Sequence, residues 1–311
     1  MPVGVLKKVL WAVDVFEGHQ NNYDNAASAI QEFVGRTDCI VYPVYVLVEE
    51  QLRLEGKNQG HSIVPYQMAA ERALRGLLKP YRIKRVAPAI VLTHHATRSI
   101  SVEEFLAHYA LSVNADLMVV TSHKKTRWER LLLGSFSEAL LVYSKVPVLI
   151  IGPEVKHVHS FERILFASRL QFRSRSLFRK IIRIAQVFKS TVILFHTVAH
   201  PIDSLIQSGV YLLGGGSWVP SHNYFGNDID RQTRQAEAWA IWARHQGVPT
   251  EYVIDSLGGP VVKSILTVAE KENVGLIVME RRAGPMESVL LGSITKEVIR
   301  SASYPVWIKA A

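Results

Sequence analysis

Leu132-Leu133-Gly134-Ser135, with Pro147-Val148 behind it, returns in the same chain as Leu290-Leu291-Gly292-Ser293 with Pro305-Val306 behind it. The spacing from Gly-Ser to Pro-Val is the same in both copies, with no insertion between them. A self-similar segment of this length marks a repeated structural unit and has to be found before any motif is interpreted. The beginnings of the copies also match. Val9-Leu10-Trp11-Ala12-Val13-Asp14 parallels Arg163-Ile164-Leu165-Phe166-Ala167-Ser168, each an apolar run that ends on a polar residue.

Working outward from the repeat, each copy alternates short apolar runs with amphipathic stretches. In the first copy, Val9 to Val13, Ile40 to Val46, Ala87 to Leu92, Leu117 to Thr121 and Pro147 to Ile151 have the length and composition of strands buried on both faces. Helical periodicity covers Asn25 to Val34, Gln67 to Leu78, Val102 to Val113 and Ser135 to Tyr143. The second copy repeats the pattern. Its strands are Ile164 to Ala167, Thr191 to Thr197, Thr250 to Ile254, Leu276 to Met279 and Val306 to Lys309, and its helices Arg175 to Phe188, Asp228 to Gln246, Pro260 to Glu272 and Ser293 to Ala302. Strands separated by helices make parallel sheets. The expected fold is therefore α/β, with two doubly wound domains, each a five-stranded parallel sheet with helices on both faces. Boundaries are expected at 1–152 and 161–311, with 153–160 as linker. Glu49 to Pro65 and His200 to Asn227 interrupt the alternation after the second strand of each copy, where open α/β sheets place ligand-binding loops.

The 311 residues carry 36 basic and 27 acidic side chains, a net charge of +9, which favours anionic partners. Arg175, Arg179 and Arg183 would share one helix face, either as a solvated surface or as an anion-binding strip. No nucleic-acid motif accompanies them, so nucleic acid is not an expected partner. No apolar run reaches the roughly 18 residues that span a bilayer. Lys7 and Lys8 precede an apolar run that Asp14 cuts short, unlike a signal peptide, and the single cysteine, Cys39, fits a reducing compartment; a cytoplasmic location is expected.

Leu-Leu-Gly-Ser opening a helix resembles the end of the ATP-binding signature of universal stress proteins, Gly-x2-Gly-x9-Gly-Ser/Thr. The resemblance covers both copies, including the small-Pro-Val-apolar last strand, and identifies a tandem universal stress protein. Glycines there let a polyphosphate approach backbone amides at a helix N-terminus. Carried over residue by residue, the glycine positions become Thr121, Lys124 and Gly134, then Ser135, in the first copy. In the second they become Met279, Arg282 and Gly292, then Ser293. The acid that meets the sugar or base end of the nucleotide corresponds to Asp14 and, in the second copy, to Ser168. The backbone position beside the base corresponds to Val44 and Thr197. Lys124 and Arg282 either block the phosphates or bind them through charge. Asp14, His123, Gly134 and Ser135 make the first copy the expected site for ATP or AMP.

A bland alternative exists for Gly-Ser. Ser135 with Glu138 forms a capping box, and Ser293 can cap its own helix with Lys296 in place of the glutamate. His94-His95 and His123 lack the companions of a metal site, and no catalytic motif stands in the chain. The resemblance implies a non-catalytic stress-response protein acting through a protein partner or a bound small molecule, with no enzymatic activity and no metal. A nucleotide sensor using the first domain, and a binder of an amphipathic anionic ligand through Trp218, Tyr224, Phe225 and the basic helix of the second, are the alternatives. The family's pairing through last strands implies an intramolecular pseudo-dimer through Val148 to Ile151 and Val306 to Lys309, with a homodimer as a further assembly.

Overall fold

The computed structural model describes residues 6–15, 20–49, 63–95, 100–122, 135–198, 222–281 and 292–310, with backbone only for 20–22, 135, 222–227 and 310. Two compact units emerge. Unit 1 comprises 1–159 together with 281–310, and unit 2 comprises 160–280.

Unit 1 is built on strands β1 (Lys8–Ala12), β2 (Ile40–Val48), β3 (Ile90–His94), β4 (Leu117–Thr121) and β5 (Val148–Ile151), in the order β3-β2-β1-β4-β5 and all parallel. The helices are α1 (Gln20–Arg36), α2 (Val64–Leu78), α3 (Val102–Ser112) and α4 (Ser135–Tyr143). The strand order reverses direction between β1 and β4. Right-handed crossovers therefore put α1 and α2 on one face and α3 and α4 on the other. Double coverage explains why β4 and β5 are almost wholly apolar and buried. Helix α3 begins with a sequence-encoded cap, the Ser101 hydroxyl accepting the Glu104 N–H at 3.2 Å.

The C-terminal strand β10 (Val306–Ala310) also belongs to unit 1, antiparallel to β5, with Val306 opposite Ile150, Trp307 opposite Leu149 and Ile308 opposite Val148. Trp307 is fully buried, its ring edge-on to Phe33 of α1 with centroids 5.9 Å apart. Helix α8 (Ser293–Ser301) lies in the same unit. There Lys296 meets Glu138 of α4 at 2.6 Å, so the fourth residues of the two repeated helices pair with each other. The cap of α8 is Gly292, without any side-chain cap hydrogen bond, so Ser293 is the first helical residue and not the cap expected of it. Arg281 places its guanidinium on the Leu141 and Val142 carbonyls, filling the acceptors that end α4. The expected linker is packed as well. Val155 is buried and its carbonyl accepts a hydrogen bond from the Asn25 amide at 2.8 Å.

Unit 2 carries β6 (Arg163–Ala167), β7 (Thr191–Thr197), β8 (Thr250–Asp255) and β9 (Leu276–Arg281), parallel, in the order β9-β6-β7-β8. Its helices are α5 (Ser174–Phe188), α6 (His222–His245) and α7 (Val261–Lys271). Helix α5 buries Leu177, Phe178, Ile181, Ile182, Ala185 and Phe188 at helical spacing. Phe178 stacks between Phe166 of β6 and Trp239 of α6, at 5.9 and 4.9 Å. The opposite face of α5 leaves Arg175, Arg179 and Arg183 exposed.

Candidate functional site

In unit 1 the switch point of the sheet lies beyond the carboxyl ends of β1 and β4, where open α/β folds place ligands. Asp14 stands there. It leaves β1 two residues after Ala12, is exposed, and its carbonyl accepts a hydrogen bond from the Tyr23 hydroxyl of α1. Beside it, beyond β4, Ser122 is buried and its N–H donates to the Ile151 carbonyl at 2.9 Å. Val44, expected at the base, sits inside β2 with its carbonyl taken by the Val13 N–H at 2.9 Å. Its backbone acceptor already serves the sheet, and the strand runs on to Val48. His123, Lys124 and Gly134 lie outside the described residues. Ser135 opens α4.

The two neighbouring histidines have structural partners. His94 is buried, its Nε2 within 2.9 Å of the Ile100 carbonyl and its ring edge-on to Phe105. His95 Nδ1 lies 2.9 Å from a Glu49 carboxylate oxygen. Among the described residues no group of three or more His, Cys, Asp or Glu side chains is placed to hold a metal ion.

Unit 2 provides the same place in its own sheet with different chemistry. The strand registers fix which residues correspond. Val9 pairs with Leu117 as Ile164 pairs with Leu276, and Ala12 with Val44 as Ala167 with Phe195. The Val13 N–H bonds the Val44 carbonyl as the Ser168 N–H bonds that of Phe195. Asn114 and Asn273, both with left-handed backbones, precede β4 and β9 at matching positions.

Ser168 is therefore the counterpart of Val13, and the counterpart of Asp14 is Arg169, where a cation replaces the acid. Thr197 matches Val46 and not Val44. By the same register the counterpart of Thr121 is Glu280, not Met279, and the span from Glu280 to Ser293 is one residue shorter than that from Thr121 to Ser135. Arg282 lies outside the described residues.

Around this end of unit 2 the polar groups bond to one another. The Ser174 hydroxyl, at the start of α5, donates to a Glu280 carboxylate oxygen at 2.6 Å. His196 Nδ1 lies 2.8 Å from the Ser168 carbonyl. Burial pushes the His196 imidazole below its ordinary value, with the Ser168 carbonyl and Asp228 acting the other way. Trp218 lies outside the described residues, and Tyr224 and Phe225 lie in the part of α6 described by backbone only.

No helix among the described residues is long and apolar enough to cross a membrane. The family model for the universal stress protein family matches the chain twice, at residues 6–152 and 160–309. Solved structures share the fold over nearly the whole length. A universal stress protein from Archaeoglobus fulgidus DSM 4304 is 19% identical with a TM-score of 0.65, over 97% of this chain and 96% of that one. A functionally unknown protein from Pseudomonas aeruginosa PAO1 is 16% identical with a TM-score of 0.56, over 98% and 92%. Among curated proteins no match to the chain was found.

Proposed function

The chain belongs to the universal stress protein family, and from that premise we propose a non-catalytic stress-response protein that acts by binding, with any adenine nucleotide held by unit 1 alone. The observation that carries this is the contrast at the two switch points. Unit 1 keeps an exposed carboxylate, Asp14, positioned to accept hydrogen bonds from a sugar. Unit 2 has Arg169 there, and at the first glycine position it has Glu280, whose carboxylate already takes the hydroxyl at the start of α5. A phosphate approaching Glu280 would meet like charge in place of a bare amide. The binding role would pass to partners or to a small molecule seated in unit 1.

Calorimetry with ATP, ADP and AMP on the full chain tests this. The expected result is at most one nucleotide per chain, lost in Asp14→Ala and unchanged in Glu280→Gln. Two equivalent sites, or an affinity indifferent to Asp14, would sink the assignment. A second reading is a nucleotide sensor with slow ATP hydrolysis in unit 1, favoured by the same carboxylate. Phosphate release that disappears in Asp14→Ala would select it.

A further inference from the structure

On unit 1, away from the switch point, two adjoining depressions run along α2. One, of about 260 Å3, lies among Met68, Glu71, Arg72 and Arg75. The other, of about 610 Å3, shares Glu71 and Arg75 and continues past Leu78 and Lys79 to the segment from Arg82 to Ala89. From Met68 to Lys79 a helix advances roughly 16 Å, so the groove is elongated. That length suits about five residues of extended chain.

Its floor is apolar, from Leu78, Ile83, Val86, Ala87 and Pro88, and Met68 is 57% exposed at one end. Its rim is cationic. Between Val64 and His95 the basic residues are Arg72, Arg75, Lys79, Arg82, Lys84 and Arg85, against the single acid Glu71. Glu71 is held by Arg75 at 2.7 Å, and Arg85 by Asp38 at 3.0 Å. Arg72, Lys79, Arg82 and Lys84 have no acidic partner among the described residues. Arg82 also holds its backbone at φ 47°, a conformation that glycine or asparagine adopts more cheaply.

We propose that this groove docks an acidic peptide segment with interspersed apolar side chains, supplied by another protein. Charge complementarity selects that occupant. A second copy of this chain would bring a net charge of +9 and the same cationic rim. A bilayer is too flat to enter a concave groove. A single-stranded nucleic acid would need an aromatic platform for its bases. No described residue that lines the groove is aromatic, and the neighbouring Tyr81 donates its hydroxyl to Asp24 at 2.8 Å and packs edge-on to Trp11. An extended peptide places alternate side chains on the floor and at the rim.

The test uses the full chain and a fluorescein-labelled peptide of about ten residues alternating Glu and Leu, followed by anisotropy. Binding should weaken as salt rises from roughly 50 to 200 mM. Lys79→Glu and Arg82→Gly should each weaken it about three- to fivefold. Arg82→Gly removes the cation while relieving the left-handed backbone, so its thermal midpoint should hold or rise. A peptide with Lys in place of Glu should bind at least about tenfold more weakly. Equal affinity in wild type and the Lys79→Glu/Arg82→Gly double variant would overturn the proposal. So would equal binding of the Lys peptide, or tighter binding of single-stranded DNA or phosphatidylserine vesicles lost in the same double variant.

Discussion

Replacing Trp307 with alanine in the full chain should loosen unit 1 by about 3–5 kcal/mol. The side chain is fully buried in β10, and a tryptophan buries about 200 Å2, or ~5 kcal/mol at ~25 cal/mol per Å2. Its edge contact with Phe33 adds about 1 kcal/mol. Against these, the indole Nε1 is buried with no hydrogen-bond partner among the described residues, and removing it returns about 1–3 kcal/mol. The balance is near 4 kcal/mol.

Cys39 supplies the assay. It is the chain's single cysteine, fully buried at the entry to β2 in unit 1, and burial raises its thiol pKa. Its labelling by a disulfide reagent therefore reports the opening of unit 1 and not of unit 2. Where reclosing outruns labelling, a loss near 4 kcal/mol accelerates the reaction about a thousandfold. Trp307→Phe keeps most of the area and deletes the unpartnered N–H, so it should stay within about 1.5 kcal/mol of wild type. If Trp307→Ala remains folded by circular dichroism and labels less than about tenfold faster, β10 does not hold unit 1 together and the energetic reasoning fails.

Lys296→Glu sets two carboxylates against each other and should lower stability by about 1 kcal/mol, with Glu138→Lys/Lys296→Glu restoring it; unchanged urea midpoints across the set would show that the pair contributes nothing. Gly275→Ala would bring its Cβ to 2.0 Å from the Ser160 carbonyl oxygen, a backbone atom that cannot swing away. A loss above about 2 kcal/mol is expected, and an unchanged thermal midpoint would contradict it. His196 is depressed by burial, so the unfolded ring takes a proton near 6.5 before the folded one does. Stability from its neutral form is full above about pH 6.5 and declines as pH falls through that value. The fall in urea midpoint between pH 7.5 and 5.5 should be smaller in His196→Leu, and an equal fall would refute it.

The alternation of buried runs and amphipathic stretches was legible in the sequence because period and burial are imposed on every residue. The reading at β4, β7 and α4 agrees with the observed bounds residue for residue. At β3 the strand starts three residues later than the apolar run, since Ala87 to Ala89 lie beside Pro88, which cannot donate to a ladder. What failed was correspondence between the copies. Polarity alone aligned Ser168 with Asp14, because both are the first polar residue after an apolar run. The hydrogen-bond register counts backbone positions and moves the match to Arg169. A connection one residue shorter in the second copy hid the same slip at Glu280, since the Gly-Ser segments beyond it line up without a gap. The groove along α2 left no periodic signal. It comes from a helix end and an irregular segment brought together by the fold.

The antiparallel seating of β10 on β5 has a consequence in time. The apolar edge of β5 emerges from the ribosome with residue 151, whereas its covering strand arrives only at residue 306. At about 5–20 residues per second, the intervening stretch of chain takes roughly 8–30 s to synthesise. Throughout that interval the nascent first half carries an uncovered apolar strand edge that any other nascent copy can match. Slow elongation through unit 2, or polysomes dense in this message, would therefore favour tangled chains over single ones, and a chaperone that shields strand edges would matter most before the last few residues are made.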